Sequence, residues 1–207
     1  PGLPGEGRLH HVRVEAAMVA SRLTDSDTLV EPDAPYPAPS VPLTQDGYPT
    51  RDNVLTRLPD YSIAHFACHG TSVAGDPSQS RLLLHDHASA PFTVAALAPY
   101  DLDHADLAYL SACDTALSTN AELIDESIHL AAAFQLAGYP QVIGTLWEVN
   151  DHHAVDVADA VYAGLLDEHG TVDPRRAPQA LHDAIVTARN ALPATPSLWA
   201  TYIHVGA

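Results

Sequence analysis

The chain has 207 residues, and 46% of them are hydrophobic, which suffices for one domain with a sizeable core but not for two full domains. Its 26 acidic residues outnumber its 9 basic residues, which gives a net charge of −17. Nucleic acids and anionic membrane surfaces bind proteins that present a basic face, so we expect neither as a partner.

The two cysteines provide no disulfide framework, and such sparse use indicates a reducing compartment. No apolar run approaches the length that crosses a bilayer, and no signal peptide opens the chain. We therefore expect a soluble, cytoplasmic protein. The excess of acidic residues has two explanations. Solubility together with a general composition bias is favoured over an electrostatic field that attracts basic substrates.

The first half of the chain predicts two helices, a short strand and a proline-rich loop. Apolar residues recur at helical spacing over residues 8–23, and Thr50 would cap a second helix that ends near residue 58. Residues 28–30 are a strand candidate. Residues 31–42 contain too many prolines for a helix or a central strand, so we expect an exposed loop there.

The remaining elements alternate between strands and helices. Strands are predicted at residues 61–68, 81–85, 107–112, 141–146 and 199–205. Helices are predicted at residues 94–97, 125–136, 153–167 and 174–191, and a polar loop at residues 117–123. This alternation indicates an α/β fold, a three-layer sandwich in which helices cover both faces of a mainly parallel sheet.

Two of these apolar strands end in a chemically reactive side chain. One stops at Cys113, and the other stops at His69, which Gly70 follows. The carboxyl ends of parallel strands share one edge of the sheet, where open α/β folds keep their sites. If the two strands are neighbours, the imidazole lies beside the thiol.

A thiol beside an imidazole can cut a peptide bond. The imidazole takes and returns the proton, and the pKa of such a cysteine falls from about 8.5 to between roughly 3.5 and 7.5. The backbone N–H groups of Gly70 and Cys113 would hold the oxyanion. The alternative is structural: Cys113 is then a small buried apolar residue, and His69 is a histidine at a strand end.

Polar residues after the next strand are candidates for binding a substrate. Trp147, Glu148 and Asp151 follow the strand predicted at residues 141–146, and a carboxylate there suits an arginine or lysine side chain. Asp151 could instead, or in addition, cap the helix predicted to start near residue 153.

Two pairs of histidines give weaker signals for a metal. His85 and His87 share one face of a strand, but no further ligand motif completes a site, so an exposed surface is favoured. His152 and His153 are adjacent, which argues against a shared helix face and again favours the surface. No metal site is predicted.

Five sequence blocks are distinctive as a set. They are His-Phe-Ala-Cys-His-Gly (65–70), Leu-Ser-Ala-Cys-Asp-Thr-Ala (110–116), Ala-Phe-Gln-Leu-Ala-Gly (133–138), Val-Ile-Gly-Thr-Leu-Trp-Glu-Val-Asn-Asp (142–151) and Trp-Ala-Thr-Tyr-Ile-His-Val-Gly (199–206). Together, and in this order, they resemble a CHAT domain, a caspase-like module related to separase. The likeness extends from about residue 3 to residue 206.

The resemblance implies a caspase–hemoglobinase fold and a cysteine endopeptidase in a bacterial signalling or defence pathway. His69 and Cys113 match the catalytic dyad, and the mechanism needs no metal or organic cofactor. Separases carry a similar Leu-Trp-x-Val-x-Asp stretch, whose acidic residues help to bind the arginine before the cut. By that analogy the protein or peptide substrate is cut after Arg or Lys, with Asp151 as the first candidate for the specificity pocket, before Glu148 and Asp114.

Two features of the family are not found in the sequence. The N-terminal portion, which usually includes a first strand, does not precede Pro1, so we expect residues 1–207 to be one CHAT domain without that portion. The tetratricopeptide repeats or other sensor modules that often regulate CHAT domains are not found in this chain either. A CHAT-like adaptor that binds a partner segment without turnover, and a thioester hydrolase with the same dyad, are the alternative functions.

Overall fold

The computed structural model describes residues 9–31, 47–71, 73, 76–114, 124–147 and 149–206, with the backbone alone at residues 77, 112–114 and 124–129. The helices are α1 (Val12–Arg22), α2 (Arg51–Arg57), α3 (Val94–Leu97), α4 (Ile124–Leu136), α5 (Asp151–Gly164) and α6 (Ala177–Ala191). The strands are β1 (Ile63–Thr71), β2 (Arg81–Leu83), β3 (Phe92–Thr93), β4 (Leu107–Asp114), β5 (Gln141–Thr145) and β6 (Tyr202–Gly206). These strands form one sheet in the order β3-β2-β1-β4-β5-β6.

The sheet is mixed, and its parallel pairs lie at the centre. β4 runs parallel to both β1 and β5, whereas the pairs β1–β2, β2–β3 and β5–β6 are antiparallel. The prediction of a mainly parallel sheet is therefore wrong. The connection from β1 to β2 is too short for a crossover helix, and the two helices α5 and α6 carry the chain down and up again, so that β6 must run back beside β5.

Most predicted helices and strands are present, with ends shifted by a few residues. Thr50 caps α2 as predicted, because its side chain accepts a hydrogen bond from the N–H of Asn53 at 3.2 Å. The strand predicted at residues 28–30 is wrong. That segment is irregular, and the N–H of Val30 donates to the carbonyl of Gly47 at 3.0 Å outside any ladder among the described residues. No helix in the described ranges is long and apolar enough to cross a membrane.

Two hydrophobic cores lie on opposite faces of the sheet. Successive side chains of a strand point to opposite faces, and β4 shows this directly. Ala108 and Leu110 belong to a first core with α2 and α4, while Leu107 and Tyr109 belong to a second core with α5 and α6. Helices therefore pack against both faces, and the central strand β4 is buried between them.

A buried polar network joins α1 to the second face of the sheet. Glu15 of α1 is 2% exposed, and its carboxylate lies 3.0 Å from Nε2 of His65 on β1. Nδ1 of the same imidazole lies 3.1 Å from the hydroxyl of Tyr162 on α5, and the ring stacks on Tyr109. Burial, and then the nearby charge of Glu15, raise the pKa of Tyr162, so its hydroxyl stays neutral. The network fastens α1 to β1 and α5.

The first half of β1 is open along one edge. β1 pairs with β4 from Ile63 to Gly70, but it pairs with β2 only from His69 to Thr71. Within the described residues, no strand covers the rest of that edge. A cavity of about 470 Å³ lies beside it, bounded mainly by α1, residues 24–31, α2 and β1.

We predict that Glu15→Ala lowers the free energy of unfolding by about 3–5 kcal/mol, because it removes one partner of a buried pair and leaves His65 without compensation. Glu15→Gln keeps an acceptor for the imidazole and should cost less. Glu168→Ala is the control, since the side chain of Glu168 is 86% exposed. Urea unfolding followed by circular dichroism measures all three, and equal stability of Glu15→Ala and Glu168→Ala would contradict the role of the network.

Candidate active site

The pairing of β1 with β4 brings the two predicted catalytic positions together. The strands are adjacent and parallel, and their register pairs His69 with Cys113 and Gly70 with Asp114. Neighbouring strands lie about 4.8 Å apart, so the backbones at residues 69 and 113 are in direct lateral contact. The expectation that these strands are neighbours is confirmed. The catalytic roles of the two residues stay predictions.

The two strands lie at the centre of the sheet because most of their residues before residues 69 and 113 are apolar. β1 alternates between the two cores, with Phe66 in the first core and His65 in the buried network of the second. By the same alternation, residue 69 has the parity of His65, and residue 113 has the parity of Tyr109. His69 is half-buried near the carboxyl end of β1.

Cys68 lies one residue earlier and belongs to the opposite side of the strand. It is half-buried and packs against the first core, as predicted for a core cysteine. This placement separates it from the face that carries His65 and makes it a natural internal comparison for Cys113.

Gly70 lies inside the sheet rather than in a loop after it. It is buried, and it has a ladder partner on each side, Leu82 of β2 and Asp114 of β4. The predicted apolar run covered residues 61–68 and closed at His69, whereas β1 continues to Thr71. The oxyanion role of Gly70 stays a prediction, as does that of the N–H of Cys113.

Asp151 is the best-defined member of the predicted substrate pocket. It is the first residue of α5, and Asn150 rather than Asp151 caps this helix, because the side chain of Asn150 accepts from the N–H of His152 at 3.1 Å. The alternative role of Asp151 as the helix cap is therefore wrong. Its carboxylate instead accepts the backbone N–H groups of His10 at 2.6 Å and His11 at 3.0 Å, which ties the start of α1 to the start of α5.

These contacts also set the charge of Asp151. Partial burial opposes ionisation, but hydrogen bonds from His11 and His10 outweigh that effect and hold the pKa of the carboxyl below its ordinary value. The group is therefore anionic at neutral pH. Oδ1 lies 3.1 Å from Nδ1 of His11, and 20% of the side chain remains exposed.

Trp147 connects the end of β5 to the segment before β6. Its backbone N–H donates to Oγ1 of Thr201 at 3.3 Å, and the Thr201 hydroxyl donates to the carbonyl of Trp147 at 3.0 Å. Its indole N–H donates to the carbonyl of Ser197 at 3.0 Å. The half-buried indole thus has a structural role, and its contact with a substrate stays a prediction. Glu148 and the loop at residues 117–123 lie outside the described residues, and Asp114 is described by its backbone alone.

The structure also places the histidines that the sequence singled out. His85 and His87 make separate contacts, with Glu31 at 2.9 Å and with the carbonyl of Leu84 at 2.9 Å. His152 and His153 do come together, although their adjacency argued against it, because their rings converge in the first turn of α5 with centroids 5.8 Å apart. Asp156 lies beside them.

Two features near the site were missed by sequence reasoning. One is the buried Glu15–His65 pair, whose members are fifty positions apart. The other is the approach of His11 to His152, with ring centroids 5.2 Å apart. Only the repeated His-His doublets, at residues 10–11 and 152–153, hinted at the second feature.

Comparison with known proteins identifies the family. A family model described as CHAT domain matches residues 4–207. No curated protein matches the chain. CHAT domains are a caspase-like peptidase family, and the model covers both strands of the candidate site as well as β5 and β6. The chain belongs to the CHAT domain family.

Proposed function

We propose that this domain is a cysteine endopeptidase with a Cys113–His69 dyad that cuts selected partner proteins. The observation that carries the proposal is the register of β1 and β4, which pairs these two residues at the carboxyl ends of adjacent parallel strands. Membership of a caspase-like peptidase family supports it independently. A bacterial signalling or defence pathway and a cytoplasmic location complete the proposal.

The proposed reaction follows from the two side chains. The Cys113 thiolate attacks the scissile carbonyl carbon, and His69 as imidazolium donates a proton to the leaving amine when the C–N bond breaks. Water then attacks the thioester, His69 accepts the proton, and the C–S bond breaks to release the acid and restore the thiolate. The N–H groups of Gly70 and Cys113 stabilise the oxyanion in both steps. Only water is consumed.

Specificity for a basic side chain is the second part of the proposal. Asp151 is anionic, partly buried and one strand away from Cys113, since β5 lies next to β4. A carboxylate in this setting can bind the guanidinium of arginine in a charge-assisted contact. Glu148, Asp114 and Trp147 are assigned to the walls of the same pocket.

One observation favours a second candidate function, an adaptor that binds a partner segment without turnover. Asp151 already accepts the backbone N–H groups of His10 and His11, just before α1, and Gly70 lies within the sheet. The Asp151 carboxylate is thus engaged by backbone N–H groups, and Gly70 is part of the strand ladder. In an adaptor the same site would hold a peptide, and no bond would be cut.

The finer assignments of fold and domain are proposals as well. We propose caspase–hemoglobinase layering and a single domain over residues 1–207, with room for a further strand beside β1. The edge of β1 that no described strand covers supports this, because a cavity adjoins it and an added strand could lie along it. A sensor module, such as tetratricopeptide repeats, is the proposed regulatory partner.

We predict that peptide acyloxymethyl-ketone probes label the wild-type protein and that Cys113→Ala abolishes the labelling, because the probe is captured by the attacking sulfur. His69→Ala should slow labelling by about 100-fold or more, the usual contribution of general acid–base catalysis. Cys68→Ala should label normally. Intact-protein mass spectrometry gives the rates. Labelling that survives Cys113→Ala would contradict the dyad, and peptide binding without any labelling would favour the adaptor.

We predict that Asp151→Asn slows labelling by a probe with arginine next to the warhead about tenfold or more, because a charge-assisted contact contributes about 1.5–3 kcal/mol. Labelling by the matched leucine probe should not change, since the amide oxygen still accepts the N–H groups of residues 10 and 11. Asp183→Asn on the exposed face of α6 is the control. Equal loss with both probes would mean that Asp151 supports the fold and does not read the substrate.

A further inference from the structure

A cluster of metal-ligating side chains lies beside Asp151 and is not used by the proposed reaction. It consists of His152, His153 and Asp156, all on the first two turns of α5. One ligand atom from each residue lies within 4.8 Å of those of the other two. Nδ1 of His152 is 3.6 Å from Oδ2 of Asp156. Small rotations about side-chain bonds would bring the three atoms around a single ion.

A third imidazole, that of His11 immediately before α1, approaches this cluster. The ring of His11 packs edge-on against that of His152, with centroids 5.2 Å apart. Nδ1 of His11 lies 3.1 Å from Oδ1 of Asp151. Asp151 is thus within ion-pair distance of one ring nitrogen of His11, and carboxylates beside metal-bound histidines occupy this position while the other nitrogen binds the metal.

The donor atoms select a class of metal ion. Two or three imidazoles with one carboxylate suit zinc and its first-row neighbours, whereas magnesium and calcium prefer oxygen ligands alone. The partial positive charge of the helix dipole at the N-terminal end of α5 disfavours a cation. The negative carboxylates of Asp151 and Asp156 lie in this part of the helix and counteract the dipole. The net charge of −17 favours a cation at the surface as well.

We propose that His152, His153 and Asp156, with His11 as the fourth ligand, form a binding site for a divalent cation of the zinc class. The ion would link the start of α1 to the start of α5, next to the carboxylate that the proposed protease uses to read a basic residue. Binding would therefore stabilise the domain through mass action. The metal site itself stands on the ligand geometry and does not depend on peptidase activity.

Calorimetric titration of the metal-free protein with Zn²⁺ tests the proposal. Cys113→Ala serves as a second host, because a thiol beside an imidazole could bind zinc elsewhere. We expect one ion per chain in both proteins. His153→Ala and Asp156→Asn should each weaken binding tenfold or more, since even the outer partners of a metal ligand contribute that much. Visible absorption of the Co²⁺ derivative should report nitrogen and oxygen ligands.

Matched variants make the outcome decisive. Asp156→Asn changes a side chain that is 67% exposed, so its effect cannot come from lost core packing. His169→Ala removes a histidine that is 77% exposed in the turn after α5, and it should bind zinc like the wild type. Unchanged affinity in both His153→Ala and Asp156→Asn, or loss of binding in Cys113→Ala, would overturn the site. Unchanged affinity in His11→Ala would remove His11 from the ligand set.

Discussion

The parallel pairing of β1 with β4 fixes both the candidate site and the two cores. One register places residue 69 beside residue 113 and, on the same two strands, alternates side chains between the faces. Phe66 and Leu110 thereby fill the first core, while His65 and Tyr109 stack in the second. If the register between β1 and β4 shifted by one residue, the side chains of one strand would move to the opposite face of the sheet, and residues 69 and 113 would no longer be paired. The same register therefore fixes both the core packing and the geometry of the candidate site.

The position of α1 is the second constraint, and polar contacts set it. The helix is fastened in its first turn by Glu15 against His65 and just before its start by the carboxylate of Asp151. Both contacts join α1 to elements that frame the candidate site, namely β1 and α5. A shift in the position of α1 would therefore displace Asp151, the proposed specificity residue, directly. The displacement would pass through the N–H groups of residues 10 and 11, without intervening side chains.

Local patterns in the sequence predicted much of the fold. The apolar runs of β1, β4 and β5 were readable because buried central strands carry continuous apolar residues. Gly138 predicted the end of α4: its φ is +123°, and a Cβ there would lie 2.6 Å from the carbonyl oxygen of Leu102. The strands and the end of α4 could both be predicted from the residues of the segments themselves.

Contacts between distant residues escaped the same reasoning. The sequence does not reveal that Asp151 binds the backbone of residues 10 and 11, because the partners are about 140 positions apart and the contact depends on how α1 docks. The prediction of a strand at residues 28–30 was wrong for a related reason, because a favourable local composition does not suffice when no described strand pairs with the segment. The direction of β6 depended on the two helices before it, not on its own residues.

The most direct test is the pH dependence of alkylation at the two cysteines. Iodoacetamide reacts with the thiolate, and peptide mass spectrometry reports Cys113 and Cys68 in the same sample. A thiol paired with an imidazole titrates below an ordinary cysteine, whose pKa is about 8.5. We predict that at pH 6 Cys113 reacts much faster than Cys68 and that His69→Ala removes the difference. Equal rates at both cysteines, with the pH profile of an ordinary thiol, would contradict the dyad.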